Sequence, residues 1–155
     1  MSFKRGKSLE PLIVAITFTS ASFAASNMGP TVVDSSQTFE QTVDSIKSAI
    51  KSKGLAIVYE ANHKNMIEMV GGKATPSVLI GFAKPQLGEK LLSIEPLAGI
   101  EMPMRIAVRE VDGGKVKVIY YLPSALFKNY DNPKLEKLGQ KMDKMIEMFV
   151  KAGTK

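Results

Sequence analysis

The stretch Met104-Arg105-Ile106-Ala107-Val108-Arg109-Glu110-Val111-Asp112-Gly113-Gly114-Lys115-Val116-Lys117-Val118-Ile119-Tyr120 decides the fold. Ile106 and Val108 alternate with Arg105, Ala107 and Arg109, and Val116, Val118 and Tyr120 alternate with Lys115, Lys117 and Ile119. Successive side chains of a strand point to opposite faces, so a period of two predicts two strands with one face on a core. Asp112-Gly113-Gly114 between them makes the pair an antiparallel hairpin.

Upstream, Ser77-Val78-Leu79-Ile80-Gly81-Phe82 reads as a largely buried strand, with Leu55-Ala56-Ile57-Val58-Tyr59 and the short Thr31-Val32-Val33 as two more. Phe39, Val43, Ile46 and Ile50 recur at helical spacing behind the hydroxyls of Ser36 and Thr38, and Lys51, Lys53 and Gly54 end that helix. Shorter helices are expected from His63 to Val70, from Pro85 to Ile94 and from Pro123 to Tyr130. A last one, opened by Asn132-Pro133, carries Leu135, Leu138, Met142, Met145 and Phe149 on one face. The expectation is an α+β two-layer sandwich, with an antiparallel or mixed sheet of about five strands and helices packed on one face.

At the N-terminus Lys4, Arg5 and Lys7 precede the apolar run Leu12-Ile13-Val14-Ala15-Ile16 and the small-residue tail Ala21-Ser22-Phe23-Ala24-Ala25. That is the layout of a secretory signal peptide, so residues 1–24 are expected to be cleaved after Ala24 and the protein to be periplasmic or secreted, with no stable membrane anchor left. Residues 25–36 then form a flexible lead and first strand, and residues 37–152 one α+β domain that includes the C-terminal helix. Residues 1–24 carry Lys4, Arg5, Lys7 and Glu10, a net of +2, so cleavage lowers the formal charge from +6 to +4. That falls short of a nucleic-acid footprint, and the interspersed Lys and Glu of the helices read as solvated faces. The chain has no Cys, which excludes disulfides, thiol catalysis and thiolate metal centres.

From Thr38 to Tyr130 the order of segments resembles the domain of unknown function 302 family. The resemblance rests on Ser52-Lys53-Gly54-Leu55, Ala61-Asn62-His63, Leu79-Ile80-Gly81-Phe82-Ala83-Lys84-Pro85, Glu95-Pro96-Leu97-Ala98-Gly99-Ile100, Met102-Pro103, Val108-Arg109-Glu110 and Pro123 with Ala125-Leu126. It implies a compact α+β fold and a homodimer, and it brings no established reaction. Where relatives have Asp before His this chain has Asn62, and where many have Asn before the proline it has Lys84. Some relatives carry Cys near the positions of Ala83 and Met104.

His63 is the only histidine, so any imidazole chemistry must use it. As a general base it needs an oriented nucleophile and an acid, and Ser77 and Asp34 are present without anything to place them together. As an axial ligand for non-covalent haem it needs an apolar pocket, for which Met66, Met69, Tyr59 and Phe82 are candidates. Nine methionines, with Met142, Met145 and Met148 at helical spacing and Met102 near Met104, invite a Cu(I) reading through soft thioethers, although Met also fills cores. The glycine pairs before Lys73 and Lys115 lack the full phosphate-loop pattern.

The leading expectation is an exported small-ligand-binding or accessory protein without catalysis. Its candidate site residues are His63, Phe82, Lys84, Met102, Met104 and Arg105, with Lys84 and Arg105 meeting an anionic group. The alternatives are a homodimer docking a periplasmic protein partner, with Met145 and Phe149 of the C-terminal helix at a dimer or core interface, and a haem or copper protein using His63, Met142, Met145 and Met148.

Overall fold

The computed structural model describes residues 29–155, so the expected signal peptide lies outside the described residues. The strands are β1 (Thr31–Ser35), β2 (Ala56–Asn62), β3 (Ser77–Ala83), β4 (Met104–Val111) and β5 (Lys115–Tyr120). The described residues form five helices, α1 (Phe39–Ser52), α2 (His63–Glu68), α3 (Pro85–Ile94), α4 (Pro123–Phe127) and α5 (Pro133–Gly153), joined in part by 3-10 turns. All strand pairs are antiparallel and the order is β1-β5-β4-β3-β2. The β4–β5 hairpin is therefore the centre on which the sheet is built, and Gly113 turns it with a φ of 79° that favours glycine.

Register sorts the side chains. Val78, Ile80 and Phe82 of β3 stand opposite Val108, Ile106 and Met104 of β4, and Val108 and Ile106 in turn face Val118 and Tyr120 of β5. All are buried, and they meet Ile46 and Ile50 of α1, Leu91 of α3, Phe127 of α4, and Leu135, Met142, Ile146 and Phe149 of α5 in one core. Each such aliphatic side chain contributes about 1.5–3 kcal/mol by leaving water. The opposite face of the sheet is open. Strand β2 runs three residues beyond the expected Tyr59, because its pairing with β3 continues to Asn62 past an irregularity between Ile57 and Tyr59.

Helix α1 starts where its sequence predicts. Thr38 Oγ1 accepts from the Gln41 amide and Gln41 Oε1 accepts from the Thr38 amide, a reciprocal cap. Fully buried Thr42 bonds Ser35 Oγ at 2.8 Å, and Ser35 donates to the Gly153 carbonyl at 2.9 Å. One hydroxyl chain thus ties β1, α1 and the end of α5. No helix among the described residues is long and apolar enough to cross a membrane.

Gly139 marks the close approach of α4 and α5. A Cβ there would lie 2.7 Å from Ser124 Cα, a backbone atom that cannot rotate away. Gly139→Ala, which in an open helix would gain about 1 kcal/mol of propensity, is here expected to cost about 1–3 kcal/mol through overpacking. Urea denaturation measures it, and a variant as stable as the parent would contradict the packing.

Candidate functional site

The one histidine sits at a corner of the open sheet face. Asn62, the last residue of β2, caps α2 by accepting from the Asn65 amide at 3.0 Å, which fixes His63 as the first residue of the helix. Ser77 opens β3 and is opposite Arg109 of β4 in register. Two bonds pin this strand entry, the Thr75 hydroxyl to the Glu110 carbonyl at 2.7 Å and the Glu110 amide to the Pro76 carbonyl at 2.9 Å. His63 Nδ1 lies 3.0 Å from Ser77 Oγ.

These groups line a cleft of 330 Å³, walled by Met66, Ile67 and Ala74 and edged by Arg109. Arg109 is the only lining residue with a fixed charge, and no carboxylate among the described residues lies within ion-pair distance of it. The row that crosses the sheet explains why. Ser77, Arg109, Lys117 and Asp34 follow one another over four strands, and Asp34 is taken by Lys117 at 2.6 Å. The Lys117 hydrogen bond and charge hold the Asp34 carboxyl below the ordinary carboxylate range. Asp34 is therefore remote from His63, while Ser77 is beside it.

The His63–Ser77 pair offers a donor to a ligand in either proton arrangement. If Ser77 donates to Nδ1, the imidazole carries its proton on Nε2; if Nδ1 donates, the hydroxyl proton is free. With the Arg109 guanidinium, the cleft sets two donors of different reach above apolar walls. That is a set of groups for an anion with an apolar body.

The other expected site residues scatter. Phe82 is sealed in the core on the opposite side of the sheet, edge-on to Phe149 with ring centroids 5.6 Å apart. Met104 is buried and Arg105 exposed, as neighbours on a strand must be, and both border a hollow of only 30 Å³, room for about one water. Met102 is partly buried against the core, ahead of a cis Pro103. Lys84 stands before α3, in a groove that also contains Met142 and Met145. Among the described residues, His63 on the open face and Phe82 in the core lie on opposite sides of the sheet, so His63, Phe82, Lys84, Met102, Met104 and Arg105 do not share one pocket. Near the small hollow, the Tyr130 hydroxyl donates to Glu101 Oε1 at 3.1 Å, and desolvation followed by that bond raises the phenol above its ordinary value.

The metal and haem constellations do not assemble either. Met142 is buried in the core, Met145 is half-buried, Met148 is 37% exposed, and His63 lies across the sheet from all three. One ion cannot reach that set. Of the four candidate haem-pocket residues only Met66 joins His63. The Tyr59 ring covers Gly81, whose Cβ would sit 2.3 Å from it, Met69 is 85% exposed, and Phe82 is behind the sheet. Phe149 is a core residue, fully buried, and presents nothing to a partner.

Comparison with known proteins agrees with the fold. The sequence profile of the domain of unknown function DUF302 matches residues 31–152. The crystal structure of an uncharacterized conserved DUF302 protein from Bacillus stearothermophilus superposes with a TM-score of 0.75 at 20% identity, covering 81% of this chain and 98% of that one. No curated protein matches the chain.

Proposed function

The chain belongs to the DUF302 family, whose description assigns no reaction, and from its own geometry we propose that it is a binding protein for a small carboxylate or similar anion with an apolar body. The observation that carries this is the unpaired Arg109 in one cleft with the hydrogen-bonded His63–Ser77 pair. An Arg fork matches a carboxylate in two parallel bonds, and the His63–Ser77 donor meets it from the side. Met66 and Ile67 cover the apolar part. A binding role suits the site better than catalysis, because among the described residues no carboxylate bonds the imidazole to hold it as a base.

A second reading concerns the rest of the open face. Ala61, Leu79, Ala107, Ile119 and Val32 form an apolar row across all five strands, with Val32 51% exposed. A second copy of the chain laid on this row would bury it, and the homodimer would then use the sheet and not α5. Export remains part of the proposal, with residues 1–24 as the cleaved signal.

Native mass spectrometry of protein taken gently from the periplasm of an expression host tests these readings together. The expected species is a dimer of residues 25–155 retaining a small organic acid. An intact residue 1 would remove the export reading, and a monomer at micromolar concentration the dimer. An empty protein that also takes up no added benzoate would remove the cleft's role.

A further inference from the structure

The helical layer holds a second concave surface, unrelated to the open-face cleft. Between α3 and α5 runs a groove of 320 Å³ whose floor is Leu55, Leu87, Leu138, Met142 and Met145. Its rim is Lys53, Lys84, Lys90 and Lys141. It continues into a further hollow of 190 Å³ that shares Lys90, Leu138 and Lys141 and adds Ile94, Lys134 and Lys137. Together the two hollows are apolar below and bordered by lysines.

The lysines are segregated, in contrast to the solvated, interspersed faces expected from the sequence. On α5, Lys134, Lys137, Lys141 and Lys144 follow one another at i, i+3, i+7 and i+10, which keeps them on one side of the helix. The acids Glu136, Asp143 and Glu147 fall on the other side. Asp143 accepts from the Ser124 amide at 2.9 Å, and Asp143 and Glu147 both act on Tyr120, helping to raise its phenol after burial. The three ion pairs among the described residues use Lys47, Lys64 and Lys117, none of them in the groove. Lys84 leans over the α1–β2 turn, its Nζ 3.9 Å from where a Cβ of Gly54 would stand.

Six cations without acidic partners among the described residues repel one another and focus potential into the cleft they border, which an anion relieves. A purely ionic partner would leave the leucine and methionine floor wet. We propose that this groove binds a single-chain anionic amphiphile of the fatty-acid type, its alkyl chain on Leu55, Leu87, Leu138, Met142 and Met145 and its carboxylate among Lys84, Lys90 and Lys141. One alkyl chain lying along the leucine and methionine floor between the two helices covers it, with the lysine stems along its sides and their ammonium tips on its carboxylate.

Calorimetric titration with octanoate, decanoate and dodecanoate below their aggregation concentrations tests this. Affinity is expected to rise about fourfold for each buried methylene, while inorganic phosphate binds far more weakly. Lys84→Gln with Lys141→Gln is expected to weaken decanoate at least tenfold, and Lys84→Arg with Lys141→Arg to restore it. Both lysines are exposed, so these variants should fold as the parent does. The Gln variant should leave the response of the His63 nuclear magnetic resonance signal to benzoate unchanged, and saturating benzoate should not displace decanoate. Affinity independent of chain length, phosphate binding as tight as decanoate, an unaffected Gln variant, or decanoate displaced by benzoate would each overturn the assignment. So would sedimentation with phosphatidylglycerol vesicles that decanoate does not compete away, which would give the lysines to a membrane surface.

Discussion

Phe149→Ala is expected to remove about 3–5 kcal/mol of folding stability, the usual range for emptying a buried aromatic site. The ring is fully buried and meets Phe82 edge-on, at 5.6 Å and an interplanar angle of 83°. Phe82 is one residue from the end of β3 and Phe149 lies in the last turns of α5, so the pair fixes the long helix to the sheet at one corner. Few atoms can relax into the void, because Ile46 and Ile50 of α1 and Ile80 and Ile106 of the sheet are themselves without exposure. Against a typical total of about 5–15 kcal/mol, that loss lowers the melting temperature by more than about 10 °C. Urea denaturation at two protein concentrations measures it. A loss under about 1 kcal/mol, or a midpoint that drops only on dilution, would return Phe149 to a subunit interface.

Arg109→Glu carries the largest expected functional effect. The side chain is exposed and has no ion-pair partner among the described residues, so the fold should survive its replacement. Binding should not. Losing a charge-assisted pair costs about 1.5–3 kcal/mol, and reversing the charge adds repulsion, so benzoate affinity should fall by about a hundredfold or more. Arg109→Lys keeps the charge without the fork and should lose about tenfold. Equal affinity in all three proteins would mean that the anion does not bind here.

How much of this was legible in the sequence depends on the range of the forces involved. The hairpin from Met104 to Tyr120, the capped helix behind Thr38 and the proline-led starts of α3, α4 and α5 are encoded within a few residues, and they stand where the sequence places them. Strand order and register depend on contacts between distant segments. For that reason the sequence offers Ser77 as a partner for His63 without placing it there, and nothing local marks Arg109, the register partner of Ser77, as a site residue. The alternation of β4 does put Arg105, Ala107 and Arg109 on the face away from the core; what it lacks is the neighbouring strand. Phe82, Met104 and Met142 illustrate the converse. As residue types they suit a pocket, but inward-facing register and the α5 stripe commit them to the core. Lys84 and the lysines of α5 were visible as charges, yet their segregation around a groove needs α3 and α5 packed side by side.

Anion binding in the open-face cleft, through Arg109 with His63 and Ser77, is read most directly from the side-chain nitrogen resonances of His63, unambiguous because the chain has one histidine. Addition of benzoate is predicted to move the Nδ1 and Nε2 signals along a saturable curve, and Arg109→Glu to abolish the movement. Signals that stay fixed up to millimolar benzoate, or that move equally in the Arg109→Glu protein, would mean that no anion binds at Arg109.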